Sequence, residues 1–428
     1  MTEMWKIVVL TNSIENKEEL MAKTTLQLEK PQRRLGLKGM IAFIILMDAF
    51  IPLSNDLYLP AMPTMGEHLG TTDALVQLTI TIFFFSYAIG MLVWGPLSDK
   101  YGRKRPLIAG FLLYSAATAF CMLAWNIEVL LAARLFQGVG AASATAISFA
   151  MVKDCFSGKT RETVLALVQT ISGFGPILAP VIGSWILLVA EWREMFLLLL
   201  LIGLVGIVLT LFYDESLPAE ERLSGSAFQS FREIGVVMKN RSFVWIVLVY
   251  SIILIPFYAY INMSSYIFVD FFGESEQVYS YYYAAICLLS MIGPYLYIRF
   301  MSAMDKNLLS YLCFAACVLA GAGIVVCGTS APVVFSFLMF IFYIATNILR
   351  PFSTNLILEQ QRHDVGTASS VMNMSYNLFG CLGMLLASLP FPNLVIAIGV
   401  MLTICSLAAL VGWWGLIHSK NEIRGLYR

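Results

Sequence analysis

Charge is what this 428-residue chain has least of. Only 13% of its residues are Asp, Glu, Lys or Arg, 59% are hydrophobic, and the mean hydropathy is +0.78. Soluble proteins run at roughly one quarter charged, so a fold covered only by water is excluded and lipid must do the covering. The 27 basic and 27 acidic residues cancel, leaving no global basic field for nucleic acid. Histidine is scarce: His68, His363 and His418 are all there are. No C-x-x-C occurs, and Cys313 with Cys317 reads as a pair of small apolar helix residues, so no metal site and no cofactor is assigned. There is no G-x-x-x-x-G-K-[ST] loop, which excludes ATP as a direct drive. No nucleophile–base pair or His/carboxylate cluster is visible at an interface, so the chain does not read as an enzyme. Nor does a signal-peptide core precede a cleavage site in the first 37 residues.

What is there is a series of apolar runs. Each stretch able to cross a bilayer needs about 20 residues. Such runs fall near 39–60, 75–98, 106–124, 127–152, 162–189 and 194–213, then near 243–270, 278–299, 308–328, 332–358, 366–390 and 393–416. The pattern predicts an all-α membrane protein of twelve helices in two sets of six. Residues 1–37 form an N-terminal tail, 38–213 one bundle, 214–241 a hydrophilic linker, 242–417 a second bundle and 418–428 a C-terminal tail.

Lys and Arg test that count, because they collect on the cytoplasmic side. With the N-terminus inside, every one falls on that side except Arg134, Arg193 and Arg350, whereas outer segments such as 61–74 hold none. Both termini are thereby placed in the cytoplasm. A weak repeat agrees with two halves: Gly95-Pro96 near the end of the second run is matched by Gly293-Pro294 near the end of the eighth.

The segment Gly95-Pro96-Leu97-Ser98-Asp99-Lys100-Tyr101-Gly102-Arg103-Lys104-Arg105 resembles the signature loop of the major facilitator superfamily. The resemblance implies a conformational lock built on Gly95, Asp99, Gly102 and Arg103, holding the outward-facing state. Asp99 is expected at a helix N-terminus, where a carboxylate is favoured, and Asp154 is the expected partner of Arg103. Asn55-Asp56-Leu57-Tyr58-Leu59-Pro60-Ala61-Met62-Pro63 resembles a segment of the Bcr/CflA-type drug–proton antiporters within that superfamily. Arg134-Leu135-Phe136-Gln137-Gly138-Val139-Gly140 resembles a segment of proton-coupled members. Gly175-Pro176-Ile177-Leu178-Ala179-Pro180-Val181-Ile182-Gly183 is similar to an exporter segment, except that Ser184 follows where a second glycine is expected. Asp48 and Asp56, eight residues apart, resemble the paired acids of the MdfA type of multidrug transporter, with Asp at the first position where that type has Glu. The likeness covers roughly residues 38 to 417.

Depth in the membrane singles out the same charges. Asp48 lies roughly 14 Å into its helix at 1.5 Å per residue, near the middle of a ~30 Å core. Charges at such depth are costly and normally face a cavity or one another. Burial disfavours an ionised carboxyl and a nearby guanidinium favours it, so Asp48, Asp56 and Arg134 are the expected proton-coupling set. Arg350, followed by Pro351, has three readings: an anchor for an anionic substrate group, a partner of Asp48, or a donor to backbone carbonyls freed by the proline. Tyr258, Asn262, Asn347 and Asn377, with Asp48, Arg134 and Arg350, are the expected substrate contacts. The tyrosines Tyr279, Tyr281, Tyr282 and Tyr283 read as an interfacial belt or as pocket wall. Pro176, Pro180 and Gly183 read as a hinge or seal.

These residues imply a secondary active transporter in a bacterial cytoplasmic (inner) membrane, multi-pass and monomeric, exporting drug-like lipophilic molecules in exchange for protons. A dedicated proton-coupled exporter of a metabolite, such as a siderophore or an amino-acid derivative, is the rival reading. A membrane receptor or enzyme is the reading from another class. The expected partners are a small-molecule substrate, protons and the lipid bilayer.

Overall fold

In hydrocarbon the backbone must satisfy its own hydrogen bonds, and a single apolar segment does that only as a helix. The computed structural model describes residues 28–222, 235, 237–361, 365–419 and 423–426, with backbone only at 365–367. Lys6, Lys17, Lys23, Arg232, Arg362, Lys420 and Arg428 of the topological argument lie outside these. The first half contains α1 (Gly36–Leu69), α2 (Asp73–Tyr101), α3 (Lys104–Met122), α4 (Ile127–Cys155), α5 (Gly158–Ile186) and α6 (Trp192–Phe212). The second contains α7 (Arg241–Phe271), α8 (Glu276–Met301), α9 (Lys306–Cys327), α10 (Pro332–Glu359), α11 (Val365–Ala387) and α12 (Leu394–Ile417). Eleven of these are long and apolar enough to cross a membrane. The other, α11, carries Asn373, Ser375 and Asn377 along its length.

Side-chain caps mark where several helices begin. Asn126 accepts from the Val129 amide at 3.0 Å, Asn240 from Phe243 at 3.2 Å and Asn393 from Ile396 at 3.1 Å, each meeting a backbone donor that the first turn leaves open. Interruptions fall at Pro and Gly. A 3₁₀ turn at Leu59–Ala61 carries Pro60, and α5 breaks between Ser172 and Gly175. Both α7 and α8 end in a widened π turn, at Ile267–Phe271 and Tyr297–Met301.

At the end of the molecule bearing the 99–105 segment, hereafter the basic end, α2 runs on through Pro96 to Tyr101. Asp99 therefore sits in the last turn of a helix, not at an N-terminus as its sequence suggested. The turn is made by Gly102, whose φ of 87° suits glycine. Gly95 and Gly293 also part company: a Cβ at Gly95 meets open space, whereas one at Gly293 would press on Asn347 of α10.

The two halves meet at the opposite, far end. Gln277 Nε2 donates to the Ser184 carbonyl at 3.0 Å, Ser280 Oγ to the Pro180 carbonyl at 2.9 Å, Tyr266 Oη to the Met62 carbonyl at 3.3 Å, and Trp185 Nε1 to Tyr281 Oη at 3.3 Å. Among the described residues other than Ser242, Lys306, Ser370 and Ser419, no hydrogen bond or ion pair joins the halves at the basic end. Gly183 serves this seal indirectly. It lets α5 close on α1, where a Cβ would drive into the Leu57 carbonyl. Gly183→Ala is expected to lower stability by about 1–3 kcal/mol through overpacking, visible as a lower melting temperature in detergent.

Candidate functional site

Arg134, two turns into the first half's α4, is completely buried. Its Nη1 donates to Gln137 Oε1 at 2.6 Å and to the Ser54 carbonyl at 3.1 Å, its Nη2 to Asn55 Oδ1 at 2.8 Å and its Nε to the Thr79 carbonyl at 3.4 Å. The rings of Phe83 and Tyr58 lie 4.3 and 4.8 Å from the guanidinium carbon, close enough for cation–π attraction. A buried charge thus has only neutral oxygens and aromatic faces around it. No carboxylate among the described residues pairs with it.

Asp56 is next in sequence to Asn55, and on a helix one residue turns the side chain by about 100°. While Asn55 faces Arg134, Asp56 faces the second half. There it is buried within Coulombic range of Tyr283 and Cys287 on α8, and of Tyr258 on α7 and Tyr343 on α10. Among the described residues it has no hydrogen bond and no ion pair. Asp48 is half-buried beside Ser172, at the break in α5, with Tyr87 in Coulombic range. Seven residues separate Asp48 from Asn55, about 10 Å along the axis. The structure therefore does not bring the two acids and Arg134 into contact; they occupy three surroundings.

A cavity of ≈ 250 Å³ lies between the halves. Of the expected substrate contacts, Tyr258, Asn347, Arg350 and Asn377 line it. Asn262 does not: it is fully buried and donates to the Met384 carbonyl at 3.0 Å, tying α7 to α11. Arg134 and Asp48 also lie outside the lining. Sequence reasoning missed Asn373 and Tyr376, although with Asn377 they stand at i, i+3 and i+4, one face of a helix. It also missed Phe84 and Tyr87 from α2. Phe84 meets Tyr258 edge-on with centroids 5.5 Å apart, an aromatic contact across the halves. Tyr279 and Tyr283, offered as belt or pocket wall, are buried in the core of the second half around Asp56, whereas Tyr281 is exposed.

The residues of the expected lock converge at the basic end. Arg103 is buried, with Nε on Asp154 Oδ2 at 2.8 Å and Nη1 on Asp99 Oδ1 at 2.5 Å and Ser98 Oγ at 2.9 Å. Burial by itself would lower its pKa, but hydrogen bonds and charge from Asp154 and Asp99 raise it above the ordinary arginine value. Glu215, at the start of the linker, accepts from the backbone amides of Arg103 at 2.9 Å and Lys104 at 3.1 Å, and so caps α3 where an anion is favoured. All these groups belong to the first half or its linker, and the contacts are made while the basic end is unjoined. Arg103→Ala strands a nearly buried Asp154, leaving Ser216 Oγ at 3.0 Å as its hydrogen-bond donor. A loss of about 1–3 kcal/mol is expected in detergent melting.

Two helical bundles with a central cavity between them, walled by aromatic rings and a few polar groups, have the architecture of a membrane transporter. A model described as Major Facilitator Superfamily matches residues 40–384. The chain belongs to that superfamily; it is a multi-pass membrane transporter and not an enzyme. It is 32% identical over 348 residues, 79% of this chain and 86% of the relative, to the MFS-type transporter YdgK of Bacillus subtilis (strain 168). It is 29% identical over 241 residues to the multidrug resistance protein MdtL of Shigella flexneri serotype 5b, covering 56% of this chain and 61% of that one. Among solved structures, the human organic anion transporter MFSD10 superposes with a TM-score of 0.66 at 18% identity, over 91% of this chain and 100% of the other. The D-xylose–proton symporter does so with 0.69 at 15%, over 87% and 97%. At those identities the shared property is the fold.

Proposed function

We propose that this transporter exports small organic molecules in exchange for protons by alternating access, in the manner of the Bcr/CflA group. The observation that carries the proposal is Asp56, a buried carboxyl of the first half whose titratable neighbours within Coulombic range belong to the second. Its surroundings exist only while the far end is closed. An ionised group at bilayer depth costs several kcal/mol, which ties the charge on Asp56 to which end of the molecule is open. Proton movement and the rocking of the halves are then one process. Arg134 holds α1 and α2 on α4 so that Asp56 is presented at the seam, and Asp48 guards the approach from the basic end. The basic end is cytoplasmic by the distribution of Lys and Arg, so the arrangement described here is open inward. The membrane is the bacterial cytoplasmic one, both termini lie in the cytoplasm, and the monomer is the working unit.

A relative named for multidrug resistance favours drug-like substrates. The aromatic lining agrees, since flat rings accept varied apolar molecules. A dedicated metabolite exporter is the second reading, favoured by the charged Arg350 in the cavity wall. The test uses purified protein in liposomes, with efflux of an aromatic fluorescent dye driven by a pH gradient or, separately, by a sodium gradient. Drive by the pH gradient is expected. Drive by sodium alone would overturn proton antiport.

A further inference from the structure

Two arginines lie within the membrane-spanning helices at bilayer depth, and they are treated oppositely. Arg134 has four hydrogen bonds and two close rings. Arg350, on α10, is exposed to the cavity, and no described residue accepts a hydrogen bond from its guanidinium. Two of its three sequence readings thereby lose their footing. Pro351 lacks the N–H that would meet the Asn347 carbonyl, yet Arg350 does not turn back to that oxygen. Asp48 lies beside Ser172 instead, and no described carboxylate is within ion-pair distance of Arg350. What remains is a guanidinium with five open donors in a cavity lined by no acid. Its neighbours there are Tyr258 and Tyr376, both within Coulombic range.

A bare cation at bilayer depth is costly unless an anion meets it, and a guanidinium matches a carboxylate with two parallel hydrogen bonds. Around that anchor the walls are aromatic from both halves, with Phe84 and Tyr87 on one side and Phe257 and Tyr258 on the other. Asn347 and Asn377 add amide groups. A volume of ≈ 250 Å³ accommodates a small ring system with a short acidic substituent. We infer that the substrate is an amphipathic aromatic organic acid, bound as its anion with the acidic group on Arg350. This rests on reading the cavity as the transport site and names the substrate class for it.

The test is equilibrium binding to the full chain in phosphatidylcholine nanodiscs at neutral pH, with three matched probes: naphthoate, naphthamide and naphthylmethylamine. The native protein is expected to bind naphthoate at least about tenfold more tightly than naphthamide, the margin of a charge-assisted hydrogen bond. Arg350→Gln should bring the two within about twofold, and Arg350→Lys, which keeps the charge without the fork, should restore part of the difference. An unchanged melting temperature in both variants separates lost recognition from lost folding. Preference for the amide or amine, binding of none of the three, or a naphthoate preference that survives Arg350→Gln would each overturn the inference. No gradient enters the measurement. Naphthoate preference without proton-driven flux would sink the antiport reading alone, and proton-driven flux without that preference would sink this one alone.

Discussion

Asp56→Asn is expected to abolish proton-coupled export, with dye-driven proton movement in liposomes falling to that of protein-free vesicles. Asn keeps the shape and most of the polarity of the carboxyl but holds no exchangeable charge. Its neighbours from the second half, Tyr283 and Cys287 first among them, should still pack, so the folded protein should melt within a few degrees of the native one. Binding of a cavity ligand should also survive, because Asp56 is not part of the cavity wall. Asp48→Asn should do less. Asp48 is half-buried and near Ser172, so proton exchange there is less tied to closure of the far end. Full coupling in both variants would remove the acids of α1 from the mechanism.

Arg134→Met should be the most destabilising single substitution in the first half. Methionine fills much of the space but strands Asn55 Oδ1 and leaves Gln137 Oε1 with only the weak Cys121 thiol donor at 3.7 Å, where both now accept from the guanidinium. At about 1–3 kcal/mol for each orphaned buried acceptor, the expected loss is several kcal/mol, read as a large drop in melting temperature and in yield. Arg134→Lys should fall between. A single ammonium has three donors but cannot span Asn55, Gln137 and two carbonyls from one plane. Were Arg134 an ion-pair partner of Asp56, Asp56→Asn would weaken the protein by a comparable amount. The structure predicts that it will not.

The outline of this molecule was legible in the sequence because the bilayer leaves few choices. Apolar runs of the needed length must be helices, and Lys and Arg report which ends share a side. Arg103 with Asp154 was legible for the same reason, since both fall at one end of their helices. The failures were of rotation. Asn55 and Asp56 are adjacent, and nothing in a uniformly apolar helix says which of them turns toward α4; the structure gives Arg134 to Asn55. Asn262 failed similarly, since an isolated polar residue on a buried helix serves a neighbouring backbone carbonyl as readily as a cavity. The polar face of α11 was readable at Asn373, Tyr376 and Asn377, and only Asn377 was taken from it. Asp99 was misplaced because Pro96 looks like a stop, yet α2 continues past it to Gly102.

The unaccompanied charge on Arg350 has an electrical side. Export of one monoanion against entry of one proton moves two elementary charges in the same sense, whereas export of a neutral molecule moves one. At a potential of about 100 mV, negative inside, each charge contributes about 2.3 kcal/mol. An acidic guest would thus be driven outward by voltage through two charges and by the pH difference through one proton, and would keep leaving when the pH difference is zero. At one proton per molecule, the current per molecule exported would read two charges for an anionic guest and one for a neutral guest, and the guanidinium would be what admits the extra charge to the middle of the membrane.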